Sequence, residues 1–373
     1  MNIVFLHPVF MIVVLALIFF SFMEVNKGRS ERGVWIVVVA MIAFIGLRDW
    51  IGADYGAYVS MYNYFGLNLG FDEIFAGMPL FGSKKLEVEW LYILLGKWVF
   101  IFQQPFYIFT LVVAVICLVL KYYAFENSVV YPSLSMLLYM FPSYFSAEGG
   151  HMRQAIAMSI IIFSFIYIKR RNLPMFLLMV FLAMGFHKTS IIFVLAYWVV
   201  LVPLNSSRIL VLILISVLLS PFQVYDYISL FQNLVSAESY EGFSAYETFE
   251  QDTSKVGFTD LICAMYTYFV VTYDREACAK IPYYEYMRNI GVMGICLYFI
   301  FKGNPIFSSR LVAIYFIFMV MVIPNIIAAV SNGTKRNFLH MMVVGYAVFY
   351  CFVYAAMQSR AGYIYDVYRN HLW

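Results

Sequence analysis

Long apolar runs, broken at intervals by short polar clusters, dominate this chain. The runs predict helical spans near 3–23, 33–47, 105–120, 131–147, 154–168, 173–187, 190–204, 208–223, 258–273, 289–301, 309–328 and 337–358. A membrane-crossing helix needs about 20 predominantly apolar residues. The runs are continuous, without the period-two alternation of a membrane barrel strand. The stretch 90–102 is apolar but short, either a half-helix that dips without crossing or a thirteenth span. The expected fold is all-α, a polytopic integral membrane protein with about 12 to 13 transmembrane helices. It is expected to form one transmembrane domain over 1–373, with an outer loop at 48–89 that carries an amphipathic helix and a second outer loop at 224–257.

The polar clusters divide into two kinds. NKGRSER (26–32), KRRN (169–172), DREACAK (274–280) and TKR (334–336) are basic, and short basic loops mark the cytoplasmic side. Counting spans outward from each places another set on the outer side, provided that 48–104 returns to the side it left. That set is GLRDWIGADY (46–55), EGGHMRQ (148–154), GFHKTS (185–190), Arg310 and the loop 224–257. Charges at membrane depth are costly and usually face a cavity or a partner. Several on one face therefore suggest one outward-open cavity.

Composition agrees with lipid as the main solvent. The chain is 64% hydrophobic and 12% charged, with mean hydropathy +0.82, where a soluble domain carries about a quarter charged residues. A net charge of +3, scattered along the chain, argues against a nucleic-acid partner. The cysteines at 117, 263, 278, 296 and 351 lack metal-ligand spacing and read as core residues or a free thiol. Residues 1–23 have neither a basic leading region nor an A-x-A site, so they are expected to stay as a first helix.

The candidate chemistry lies in the outer clusters. Arg153 and Gln154 open a helix just after His151, and Glu148 stands three residues earlier. An arginine there opposes the helix dipole, so helix stability does not explain it, whereas free N–H groups and a cation together suit a phosphate. A snorkelling arginine is the plain alternative. His187 is the natural general base near neutral pH, with Lys188 beside it; a hydrogen-bonded core histidine is the plain alternative. Arg48, Asp54 and Tyr55 begin a stretch in which Tyr55, Tyr58, Tyr62 and Phe65 recur at helical spacing. Such a stripe either anchors a surface helix or stacks on sugars. Arg310 enters a later span as a second anion-binding or snorkelling arginine. The loop 224–257 carries Asp226, Glu238, Glu241, Glu247, Glu250 and Asp252, suited to a carbohydrate lid or simply to water. Walker A, GxSxG, HExxH and loop DxD motifs are all absent, so a nucleotide-driven enzyme has no support.

Taken in order, four motifs resemble the EpsG branch of the Wzy-type bacterial polysaccharide polymerases: Arg48 with G-A-D-Y-x-x-Y-x-x-x-Y, H-M-R-Q-A-I-A, G-F-H-K-T-S, and S-S-R-L-V-A-I-Y-F. The likeness runs from about 45 to 330, although EGGHM stands where that family usually has an Asn ahead of the RQ pair. The resemblance implies a GT-C-like glycosyltransferase in the bacterial inner membrane, multi-pass, with its active site facing the periplasm. It would join undecaprenyl-pyrophosphate-linked repeat units into O-antigen, capsule or exopolysaccharide, with no metal or cofactor and with a chain-length-regulating protein as partner. In that setting Arg153, Arg48 and Arg310 would stabilise the departing pyrophosphate. His187 would be the base, with Asp54 or Glu148 as substitutes, and Tyr55, His151, Gln154 and Lys188 would contact substrate. An O-antigen ligase, with nearly the same chemistry, is the nearest alternative; a lipid-linked oligosaccharide flippase is the alternative from another class.

Overall fold

The computed structural model describes residues 7–29, 31–52, 54–76, 79–82, 86–222, 255–360 and 368–372. Most of the expected outer loop 224–257, namely 224–254, lies outside these residues. The described chain is almost wholly helical; its one small sheet pairs β1 (Leu80–Phe81) with β2 (Leu86–Glu87). Among the described residues, five helices are long and apolar enough to cross a membrane, and five shorter ones are apolar too. The protein is an all-α, multi-pass membrane protein. It separates into two compact units, Met1–Ile191 with Asn332–Trp373, and Ile192–Ser331.

The first unit contains α1 (Pro8–Lys27), α2 (Val34–Gly46), α3 (Tyr55–Asn68), α4 (Phe71–Ala76), α5 (Trp90–Ile101), α6 (Phe106–Glu126), α7 (Pro132–Tyr139), α8 (Met152–Lys169), α9 (Leu173–Met184) and the helix Gly333–Arg360. Local signals set several boundaries. Pro8 occupies the first turn of α1 and His7 accepts from the Val9 amide. Gly28 then ends the helix at φ +70°, a conformation that suits glycine. The expected single span 131–147 is broken. Phe141 precedes a proline and leaves helical geometry at φ −125°, ψ 111°, because that position disfavours the α region. The chain then continues in wide turns to Gly150. The span expected to end at 120 instead runs to Glu126, because Lys121 finds buried partners and need not leave the helix.

This unit has two chemically different ends. Glu24, near the end of α1, accepts from the Ser133 amide at the start of α7. Lys169, at the end of α8, donates to Asn127 and Ser128 after α6. Tyr131 feels the charge of Arg336. The basic loops 26–32, 169–172 and 334–336 therefore share one end. At the other end, the Arg48 guanidinium donates to the Gly149 carbonyl, Leu91 N–H to Gly185, and Thr110 to Gly46. The 21 residues of α6 separate the two ends by about 30 Å.

α5 both begins and ends at the polar end: Leu91 bonds Gly185, and Tyr62 of α3 bonds the Gln104 carbonyl just beyond it. Its 12 residues rise about 18 Å, too short to cross a bilayer core of about 30 Å upright. The α3 stripe faces protein. Tyr55, Tyr58, Tyr62 and Phe65 are all buried, against Phe106, Tyr92, Phe109 and Phe81 respectively.

In the second unit, Phe258–Lys280 packs on Met319–Ala329, and Tyr284–Ile300 on Pro305–Phe316. Gly294 allows the latter pair to approach closely; a Cβ there would sit 2.6 Å from the Phe316 nitrogen. Buried ion pairs join Arg288 to Asp274 at 2.6 Å and Lys302 to Asp260 at 3.0 Å.

Candidate active site

Three segments of the first unit converge on one carboxylate. Glu89 stands at the N-cap of α5 with extended φ −68° and ψ 137°, yet it does not cap its own helix. The Gly185 carbonyl takes the Leu91 N–H instead, drawing 185–188 against the start of α5. Gly185 permits this approach, since a Cβ there would meet the Leu91 side chain at 2.5 Å. Arg153 projects from the first turn of α8 to the same place.

Glu89 Oε2 accepts from Arg153 Nη1 at 2.6 Å. Its Oε1 lies 3.2 Å from His187 Nδ1 and accepts from the Lys188 amide at 3.3 Å. The Tyr58 hydroxyl lies within hydrogen-bonding reach of the Arg153 guanidinium. Lys188 Nζ pairs with Glu87 at 3.0 Å. Burial alone would raise the Glu89 carboxyl. The His187 hydrogen bond and the Arg153 charge outweigh burial and hold it at about 2. Glu89 is therefore an anion across ordinary pH and a weak proton acceptor.

Four buried polar atoms around this site have no hydrogen-bond partner among the described residues: His187 Nε2, Tyr92 Oη, Thr189 Oγ1 and Ser190 Oγ. Buried polar atoms are nearly always satisfied, so such a set is suited to a polar ligand or water.

The remaining expected site residues take other places. Arg48 is 1% exposed. Its guanidinium donates to the carbonyls of Ile45, Ile51 and Gly149 and lies over the Tyr55 ring, so it clamps the backbone at the polar end. Tyr55 donates to the Arg48 carbonyl. Glu148 is buried and paired with Lys121 and Tyr139, which commits it to the interior. His151 is exposed, with Nδ1 at 3.0 Å from the Ser146 carbonyl. Asp54 is exposed at the start of α3, and Gln154 is half-buried on α8. Arg310 is half-buried on Pro305–Phe316, in the second unit. Arg153, His187 and Lys188 thus come together with two acids, while Arg48, Tyr55 and Glu148 brace the fold around them. Among the described residues, no three His, Cys, Asp or Glu side chains gather as a metal site.

Compared with known protein families, residues 33–367 match the EpsG family. The chain belongs to the EpsG family. No curated protein and no solved structure matches it. EpsG membership supports a polysaccharide-polymerase type of role and glycosyltransferase-like chemistry. All the candidate residues of this EpsG chain lie within the matched region, and the C-terminal residues 368–372 lie beyond it.

Sequence reasoning missed Glu89, the hub of the site, with Glu87 and Tyr92 beside it, and the interior partner of Glu148, Lys121. A signal existed: E-V-E at 87–89 places two acids immediately before an apolar helix in a chain with few charges. The partners lie far along the chain, at 153 and 187, so the pairing is invisible without the fold.

Proposed function

We propose that this protein is a polysaccharide polymerase that joins lipid-pyrophosphate-linked repeat units on the outer face of the cytoplasmic membrane. The observation that carries this reading is the meeting of Arg153 and Lys188 with a half-buried histidine, His187, whose Nε2 is unpartnered among the described residues, at the polar end of a membrane bundle.

The chemistry follows from these groups. An acceptor sugar hydroxyl attacks the anomeric carbon of the donor glycan as the bond from that carbon to the lipid pyrophosphate breaks. His187 Nε2 takes the hydroxyl proton, and the pyrophosphate leaves with the bonding electrons. Cations placed where that charge develops lower the barrier. Arg153 and Lys188 suit this role because their side chains keep 19% and 48% exposure. Arg48 and Lys121, at 1% and 0%, are committed to protein partners. The undecaprenyl carrier and the periplasmic face belong to the same proposal. They are supported by the family and by the basic loops gathered at the opposite end, which mark a cytoplasmic side.

The test is to delete the gene and display surface glycan on a gel beside complementation with wild type, Arg153→Ala and His187→Ala. The deletion should collapse the ladder to single repeats. Wild type should restore it, and neither variant should, although both accumulate in the membrane. Long chains from either variant would remove that residue from the site. Loss of all attached glycan, the single repeat included, would point to a ligase or flippase.

A further inference from the structure

The buried unpartnered Nε2 of His187 becomes informative once the other side of the ring is considered. A carboxylate without a proton can only accept hydrogen bonds. The 3.2 Å contact between Glu89 Oε1 and His187 Nδ1 is therefore a hydrogen bond only if Nδ1 carries the proton. In a neutral ring that leaves the lone pair on Nε2. The same Oε1 also accepts from the Lys188 amide, which fixes the backbone on which the ring is mounted. The carboxylate cannot easily turn, because its other oxygen is tied to Arg153 at 2.6 Å and its side chain is 6% exposed.

We infer that Glu89 is the positioning residue of this site: it holds His187 in the Nδ1–H tautomer, aims Nε2 as the proton acceptor, and stabilises the imidazolium formed when the acceptor hydroxyl is deprotonated. This rests on His187 being the base of the proposed reaction. Glu89 touches no substrate in this scheme. The proton passes from the acceptor hydroxyl to Nε2, the ring becomes cationic, and the adjacent anion offsets its charge. Arg153 is oriented by the same carboxylate, so one side chain sets the distance between the base and the cation that meets the leaving group.

The experiment measures turnover of the reconstituted protein on lipid-linked repeat units purified from the deletion strain, from pH 5 to 9. The charged and titratable groups around the pair are Arg153 on α8, Tyr58 on α3 with Asp54 beside it, Tyr92 on α5, Arg48 after α2, and Glu87 and Lys188. All of them are retained in Glu89→Gln. That variant should lose on the order of 10²-fold or more in kcat, as expected for removal of an orienting carboxylate behind a histidine base. KM should change only a few-fold, and the acid limb of the profile should move to lower pH because the imidazolium has lost its counter-anion. Glu89→Asp should recover part of the turnover.

A Glu89→Gln enzyme with near wild-type kcat and an unmoved acid limb would overturn the inference. If that variant fails to accumulate, wild-type protein with ¹⁵N-labelled histidine decides instead, with the His187 signal assigned by its loss in His187→Ala. An Nδ1–H signal supports the inference, and an Nε2–H signal overturns it. His187→Ala separates this failure from that of the reaction scheme. An active His187→Ala removes the base itself, whereas an inactive one beside an unaffected Glu89→Gln removes only the role of Glu89.

Discussion

Glu148 accepts from Lys121 Nζ at 2.7 Å and from the Tyr139 hydroxyl at 2.6 Å, while Ser159 accepts from the same ammonium. Neither charged side chain is more than 1% exposed. Removing one member of such a pair leaves the other buried and uncompensated, at a cost of about 3–5 kcal/mol, whereas apolar replacement of both can be nearly neutral. Lys121→Met should therefore lower the melting temperature sharply, and Lys121→Met with Glu148→Leu should regain most of it. A double variant as unstable as the single one would show that the pair does more than neutralise itself. Glu89 differs because its partners serve the site. With its carboxyl held at about 2 against 4.5 in the unfolded chain, its contribution to stability is complete above pH 4.5 and fades as pH falls toward 2. The stability that Glu89 contributes through its own ionisation should thus be lost as pH falls from about 4.5 toward 2, so wild type and Glu89→Gln should converge over that window, as read by melting curves. Arg153 and His187 could be picked out from sequence because a charge inside an apolar run needs a reason. Their shared partner could not, because nothing local ties residue 89 to 153 or 187.

At the scale of elements, the apolar runs foretold nearly every helix, since lipid enforces continuous hydrophobicity and internal backbone pairing. The exceptions include the break at Phe141, the continuation of α6 through Lys121, the helix Phe258–Lys280 that takes in the basic stretch 274–280 expected as a loop, and the 3-10 turns at Lys188–Leu195 within the span expected at 190–204. The α3 stripe was legible as helical but not as inward-facing, because a tyrosine face suits an interface and a protein core equally. The C-terminal segment was not legible at all. Tyr368 stacks on Phe44 at 4.2 Å, and Asn370 donates to the carbonyls of Ala43 and Phe44. The Asp49 amide donates to Arg369, and the His371 amide to Leu47. These contacts hold the loop after α2 whose Arg48 clamps Gly149, three residues before the first turn of α8. Gly52 makes that loop possible, at φ +122° and with the Gly149 carbonyl where a Cβ would lie. Truncation after residue 367 should therefore speed amide exchange at 47–52 and reduce polymer length, while leaving exchange in the centre of α6 unchanged. Unaltered exchange at Asp49 would mean that the loop stands without its clasp.

At the scale of the molecule, the first unit sorts its charges by end, and this determines what the site can meet. Basic loops at 26–32, 169–172 and 334–336 lie at one end, and the carboxylate site lies at the other. Short basic loops are retained in the cytoplasm, so a site on the far side would receive lipid-linked substrates only after they had been flipped. This arrangement depends on α5 dipping and returning, because a crossing there would reverse every later helix. Single cysteines in a variant lacking the native five can decide it. Asp72, Ser146 and Gln103 are exposed at the polar end, and Asn26 and Asn127 at the basic end. Cysteines at the first three should react with a membrane-impermeant maleimide in intact spheroplasts, and those at Asn26 and Asn127 only after lysis. Gln103→Cys labelling with the Asn127 group would make α5 a crossing helix and separate Glu89 from the face on which α6 begins. Reversal of both groups would keep the site intact but turn it toward the cytoplasm, where a polymerase of exported glycans would have no flipped substrate. Only the expected pattern gives Arg153, His187 and Glu89 both a common face and a substrate on it.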